Sequence, residues 1–266
     1  MNNKLPEFYT LGPLPEINLG FITLPTYYLI ISITYCLSIL WFYKRCESRN
    51  LPQKNAMDIG LIVLFSGFIG ARLFHIIFEF PSHYWQHPIE VFYFWQGGFV
   101  FYGGFLVAYA FSFLYARNLK LTFWLWHDTL APVLAFGYAM GRVACFLVGC
   151  CYGKVCDLPW AVPLKQVHVA SEHVSTLLRH PTQLYAIGIE LIILMFLLWY
   201  EKRRPKLGNV FLCWVALHSL GRITMETFRD DHRGAHYFDL SISTIISILL
   251  IILTSYLLFS RNKKVA

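Results

Sequence analysis

The chain has 266 residues, of which 57% are hydrophobic, 18% aromatic and only 14% charged, with a mean hydropathy of +0.51. A soluble domain carries about 25% charged residues, so the composition excludes that class and describes a polytopic membrane protein. The net charge of +7 bears on orientation in a bilayer before it bears on nucleic acid, and no nucleic-acid partner is expected.

Residues 1–23 contain Pro6, Pro13 and Pro15 and read as an irregular or interfacial arm. They lack the basic start and apolar core of a cleavable signal peptide. Apolar spans follow at 24–43, 56–78, from 98 up to Arg117, and at 124–147, 182–200, 210–227 and 240–259. Between the second and third lies PSHYWQHPIEVFYFWQ (81–96), aromatic and without Lys or Arg. It reads as an interfacial or re-entrant piece with its rings at headgroup depth. The polar stretch 154–181 precedes the fifth span. The expected fold is therefore all-α, an integral membrane protein of about seven transmembrane helices. It forms one domain over 1–266: the arm, a bundle over 24–259 and a tail at 260–266.

Lys and Arg sort by side. Loops after the first, third and fifth spans and the C-terminal tail hold 13, whereas the arm and the other loops hold 6. The positive-inside rule then puts the N-terminus outside and the C-terminus in the cytoplasm. Three basic residues remain, Arg72, Arg142 and Arg222, each within a span. Intramembrane ionisable residues mark function by default. Arginines without lysine favour a fixed, planar anion site over a titrating relay. The competing reading is that each pairs with an acid, such as Asp58, Asp128, Glu190 or Glu226, and only locks the bundle.

The stretch GRVACFLVGCCYG (141–153) places Arg142 beside a glycine-rich helix break. Glycine lets backbone approach a ligand closely, and a guanidinium holds a phosphate bidentately; a structural arginine and a glycine turn would look the same. GGFVFYGGF (97–105) sets Tyr102 between two glycine pairs, which also suits helix packing. RHPTQLY (179–185) puts proline at a helix start. His218, Arg222, Glu226 and Arg229, at i, i+4, i+8 and i+11, fall on one helical face. LSISTIIS (240–247) is a weakly polar start to the last span. Seven cysteines form no evident disulfide framework. Cys145, Cys150, Cys151 and Cys156, in C-x4-C-C-x4-C spacing, fit no zinc pattern, so neither a metal nor a cofactor is expected.

Taken in order, these motifs resemble the prolipoprotein diacylglyceryl transferase family, and the resemblance runs from the first span to the seventh. It implies a multi-pass enzyme of the bacterial inner membrane. Such an enzyme moves the diacylglyceryl group of phosphatidylglycerol onto the lipobox cysteine thiol of a prolipoprotein. A thioether forms and glycerol phosphate leaves. By this resemblance Arg142 matches the phosphatidylglycerol-binding arginine of the signature. Arg222 matches a second essential arginine and Glu226 its acidic partner. Tyr27 matches a tyrosine near the first span's start, and Gly103 and Gly104 match the glycines of an H-G-G motif. Cys145 and Gly153 occupy signature positions, where many members have asparagine in place of Cys145. Tyr102 stands where the family has histidine, and His218 where it has tyrosine. The exchange suggests that the two face one cavity and that His218 takes the histidine's role near the thiol. Alternatively His218 only packs, and Arg222 and Glu226 do the work. A catalytically weak paralogue that binds lipid or precursor, and a small anion transporter, are the other readings of the same residues.

Overall fold

The computed structural model of the chain describes residues 8–20, 22–94, 97–119, 122–168, 174–230, 236–237 and 240–263. Eight α-helices lie among them: α1 (Thr26–Ser48), α2 (Gln53–Phe74), α3 (Pro81–Gln86), α4 (Phe101–Asn118), α5 (Phe123–Val148), α6 (Thr182–Lys202), α7 (Asn209–Glu226) and α8 (Ile242–Lys263). Apart from the short α3, each sits on an expected span. Helix α2 with its extension to Glu79, together with α1, α5, α6 and α8, is long and apolar enough to cross a membrane. Helices α4 and α7 have 18 residues each, about 27 Å at 1.5 Å per residue. The chain is a polytopic helical membrane protein.

Some polar stretches depart from the expectation. The arm is not irregular: it carries β1 (Phe8–Leu11), β2 (Glu16–Asn18) and β3 (Thr23–Pro25). The 154–181 stretch contains β4 (Val162–His168) and β5 (Val174–Arg179). Strands β1, β4 and β5 form an antiparallel sheet in the order β1-β4-β5, whose register pairs Tyr9 with Val167 and Leu164 with Leu177, while β2 and β3 pair only with each other as a local hairpin. Long-range pairing leaves no local signal for β1, and β2 and β3 are only three residues each, too short for a clear alternating pattern, which is why the arm reads as irregular. Beyond its strand the arm docks on the end of α5, where the Gly12 and Leu14 amides donate to Val148 and Leu147 at 2.9 Å each. Those are carbonyls a helix C-terminus otherwise leaves unmatched. Two further residue pairs, β6 (His236–Tyr237) and β7 (Leu240–Ser241), precede α8.

The aromatic stretch 81–96 is indeed not a span. Helix α2 runs on as a π turn over His75–Glu79, then α3 and a 3-10 turn at Pro88–Phe92 follow. Trp95 and Gln96 lie outside the described residues. Helix α7 ends at Glu226, short of Arg229. The four-residue stripe therefore stops at three, because Thr227 and Phe228 turn the chain and Arg229 pairs with Gly153 in a β-bridge.

Two kinds of packing hold the bundle. Helices α2 and α4 approach through glycine. A Cβ on Gly103 would lie 2.3 Å from the Phe74 Cβ, and one on Gly104 would lie 2.8 Å from the Gly67 carbonyl. In lipid, where burial of apolar surface drives nothing, such close backbone contact is what associates helices. Helices α5, α6 and α7 share a core of Ala131, Ala135, Ile193, Leu197, Phe211 and Trp214.

The two ends of the bundle differ in chemistry. At one, Arg45 and Arg49 near the end of α1 share Glu201 near the end of α6. Arg45 also donates to the Thr129 carbonyl at 2.9 Å. Asp128 accepts from the amides of Gly208 (2.6 Å) and Phe211 (2.9 Å), placing a carboxylate where the α7 dipole is positive. The other end gathers the starts of α1, α6 and α8 and the ends of α5 and α7, which carry most of the signature residues.

Candidate active site

Two arginines anchor this end differently. Arg142, in the second-last turn of α5, donates to the Tyr138 hydroxyl at 2.7 Å and lies 4.7 Å from that ring's centroid. No carboxylate among the described residues lies within ion-pair distance of it. Arg222, in α7 and 6% exposed, pairs with Glu226 at 2.5 Å and donates to the Ser243 hydroxyl of α8 at 2.8 Å. The acids that could have neutralised the arginines are mostly engaged elsewhere. Asp58 accepts from Tyr115 at 2.6 Å, and Asp128 holds the start of α7. Glu190 accepts from the Trp214 indole at 3.0 Å and pairs with His218 at 3.1 Å.

A chain of rings connects the arginines. Tyr138 meets His218 edge-on at 4.5 Å, and His218 stands 6.4 Å from Tyr102. The Tyr102 hydroxyl bonds Ser247 at 2.5 Å and lies within electrostatic reach of Arg222. Tyr102 and His218 line one small, mostly apolar cavity with Phe101, Phe105, Trp214 and Ser219. Glu190 fixes Nδ1 of His218, and its Nε2 is buried with no hydrogen-bond partner among the described residues. A base oriented through one nitrogen with the other left as acceptor is the arrangement proton transfer needs. Tyr27, at the start of α1, lies within electrostatic reach of Cys145, Cys150, Cys151 and Arg142.

The helix break after Arg142 is built by hydrogen bonds. Gly149 adopts φ +88, and its amide and that of Cys150 both donate to the Cys145 carbonyl, at 2.9 and 3.1 Å. Cys151 has φ +62, a left-handed conformation that costs a non-glycine residue about 1–3 kcal/mol. Thr182 and Gln183 hold it there: their side chains donate to the carbonyls of Cys151 and Cys150, at 2.7 Å each. RHPTQ thus clamps the signature turn instead of merely capping its own helix. Arg179 extends the clamp to the Gly153 carbonyl (3.0 Å) and Asp230 (2.8 Å). The thiols of Cys145, Cys150 and Cys151 lie within 4.8 Å of one another. Hydrogen bonds from Cys145 and Cys150, then the nearby Arg229 and Arg142, hold the Cys151 thiol well below the usual thiol range. Hydrogen bonding to Cys145 and Cys151, then burial, pushes Cys150 up.

Other expected site residues are engaged in backbone contacts and packing. Arg72 spends its guanidinium on backbone carbonyls, among them Glu90 (2.8 Å), Val91 (3.2 Å) and Gly97 (2.5 Å). It pins the 90–98 connection. Gly103 and Gly104 face α2, so their lack of a side chain serves helix packing. At Gly153 a Cβ would lie 2.6 Å from the His180 Cβ and 2.8 Å from the Phe228 carbonyl. This glycine is the crossing point of two backbones. Sequence reasoning overlooked Tyr138, took Ser243 and Ser247 only as part of the weakly polar LSISTIIS stretch, and treated Glu190 only as a partner for arginine. The available signals were the i−4 spacing of Tyr138 from Arg142 and the i, i+4 spacing of the two serines.

Comparison with known proteins bears on the family of the chain. The sequence profile of the family described as prolipoprotein diacylglyceryl transferase matches residues 16–260. The phosphatidylglycerol–prolipoprotein diacylglyceryl transferase of Bordetella avium is 32% identical over 188 residues, covering 70% of this chain and 69% of that protein. The enzyme of the same name from Chromobacterium violaceum is 31% identical over 243 residues, covering 82% and 84%. That of Clostridium botulinum (strain Langeland) is 29% identical over 247 residues, covering 93% and 96%. With a profile match across most of its length and relatives that share its span, this chain belongs to the prolipoprotein diacylglyceryl transferase family.

Proposed function

We propose that this chain, acting as one membrane domain, transfers the diacylglyceryl group of phosphatidylglycerol to the lipobox cysteine thiol of prolipoproteins. The observation that carries the reading is Arg142. It is a cation at a glycine-rich helix break, framed by Tyr138 and without a carboxylate partner among the described residues. It suits the phosphodiester of the lipid.

In the reaction the substrate thiol sulfur bonds to the terminal glyceryl carbon, and the bond from that carbon to the phosphate oxygen breaks. Glycerol phosphate leaves with the electron pair. Two demands follow. The thiol must lose its proton, because the thiolate attacks. The phosphate must be stabilised as charge develops on the departing oxygen. Arg142 and Arg222 answer the second demand. His218, oriented by Glu190, answers the first through Nε2. Glu226 keeps the Arg222 fork in place, Tyr102 and Ser247 brace the cavity, and Tyr27, Cys145 and Gly153 shape the headgroup side. No nucleophile of the enzyme is needed.

The proposed site is the bacterial inner membrane, with the N-terminus outside and the C-terminus in the cytoplasm. The arginine-rich end with Arg45 and Arg49 then faces the cytoplasm, as the positive-inside rule requires. The signature end faces outward, where lipobox cysteines emerge. The test is purified protein incubated with phosphatidylglycerol and a lipobox peptide. The peptide is expected to gain the mass of a diacylglyceryl group on sulfur, and Arg142→Ala protein is expected to give no gain. A wild-type protein that binds the lipid yet leaves the peptide unmodified would overturn the reading.

A further inference from the structure

Three thiols meet at the end of α5, and the transfer reaction uses none of them as a nucleophile or base. Along the sequence their C-x4-C-C spacing matches no zinc pattern. The helix end overrides that spacing. The left-handed Gly149 folds the chain back over the Cys145 carbonyl, and the left-handed Cys151 reverses it again, so Sγ atoms from both sides of the break converge to within 4.8 Å of one another. A tetrahedral centre with metal–sulfur bonds of about 2.3 Å needs sulfurs about 3.8 Å apart, a closure of at most about 1 Å per pair. Cys156 stands outside the group, and its amide bonds the Leu178 carbonyl on β5 at 3.1 Å.

We propose that Cys145, Cys150 and Cys151 form a binding site for a thiophilic divalent cation of the zinc class. The ion forms three metal–sulfur bonds, three thiol protons pass to solvent, and no electron moves. Thiolate ligands select such cations over magnesium or calcium. Three thiolates and a dication leave one net negative charge, and Arg142 and Arg229, both within electrostatic reach of Cys151, oppose it. Metal sites depend on outer hydrogen bonds that orient the ligands. Here Gln183 and Thr182 hold the carbonyls of Cys150 and Cys151. The fourth coordination position is left to water or an incoming thiol.

The test uses full-length protein in detergent, stripped with a chelator, kept reduced and titrated anaerobically with Co2+. A sulfur-to-cobalt charge-transfer band and tetrahedral d–d bands should saturate at one ion per chain, and Zn2+ should displace them. Cys145→Ser and Cys151→Ser should each remove the charge-transfer band or weaken binding at least 10-fold, Gln183→Ala should weaken it about 10-fold, and Cys156→Ser should leave it unchanged. The wild-type titration does not depend on any variant folding. Absence of a thiolate band there overturns the proposal, as does a band that survives in Cys145→Ser and Cys151→Ser or disappears in Cys156→Ser.

Discussion

The ring of Tyr102 on α4 stands 6.4 Å from that of His218 on α7, and both line the same cavity. Glu190 holds His218 through Nδ1 at 3.1 Å. A phenol with a pKa of about 10 can only donate at neutral pH, whereas an imidazole near 6.5 can accept. On the proposed reading, His218 is the ring that takes the thiol proton. His218→Phe should therefore lower turnover about 100-fold or more, with phosphatidylglycerol binding retained. Glu190→Gln should lower it less, since the amide can still accept from the ring. Single-turnover transfer to a lipobox peptide measures both. Unimpaired turnover in His218→Phe would leave the histidine a packing residue and move proton transfer to Glu226.

Arg142 should be intolerant of its closest replacement. Arg142→Ala should abolish transfer while the protein still inserts and elutes as a folded species. Arg142→Lys should recover little, because an ammonium is a point charge without the planar fork that bonds Tyr138 and phosphate together. Near-normal peptide modification by Arg142→Lys would refute the phosphate-clamp role.

Gly103 should matter for stability more than for chemistry. A Cβ there would lie 2.3 Å from the Phe74 Cβ and 2.6 Å from the Gly70 carbonyl. Gly103→Val should push α2 and α4 apart and destabilise the protein by about 1–3 kcal/mol, the usual cost of overpacking. Thermal unfolding in detergent reads this directly. A melting temperature unchanged by Gly103→Val would mean that this contact does not hold the helices.

Orientation follows from charge. A reporter fused after Ala266 should report the cytoplasm, and one inserted within 169–173, between β4 and β5, should report the outside. The reverse pattern would put Arg142 and Arg222 on the wrong side for emerging lipobox cysteines.

The sequence by itself determined the class, the seven long helices and the presence of three arginines within spans. The reason is that a bilayer imposes its solvent on every span, so an apolar run of membrane length and an isolated charge within it are both legible one residue at a time. The resemblance to the family suggested, from the exchanged types of Tyr102 and His218, that the two share a cavity, and both do line one. What only the tertiary structure decided depends on contacts between distant segments. Residues 8–11 of the arm became a strand because β4, about 150 residues away, offers them an edge. Arg72 turned to carbonyls of the 90–98 connection, and Gly103 and Gly104 turned to α2, since one-dimensional spacing does not say which neighbour a helix face meets. Thr182 and Gln183 look like ordinary residues at a helix start until the signature turn folds onto them. The three thiols converge only because two left-handed residues, Gly149 and Cys151, reverse the chain between them, a backbone choice that side-chain spacing does not encode.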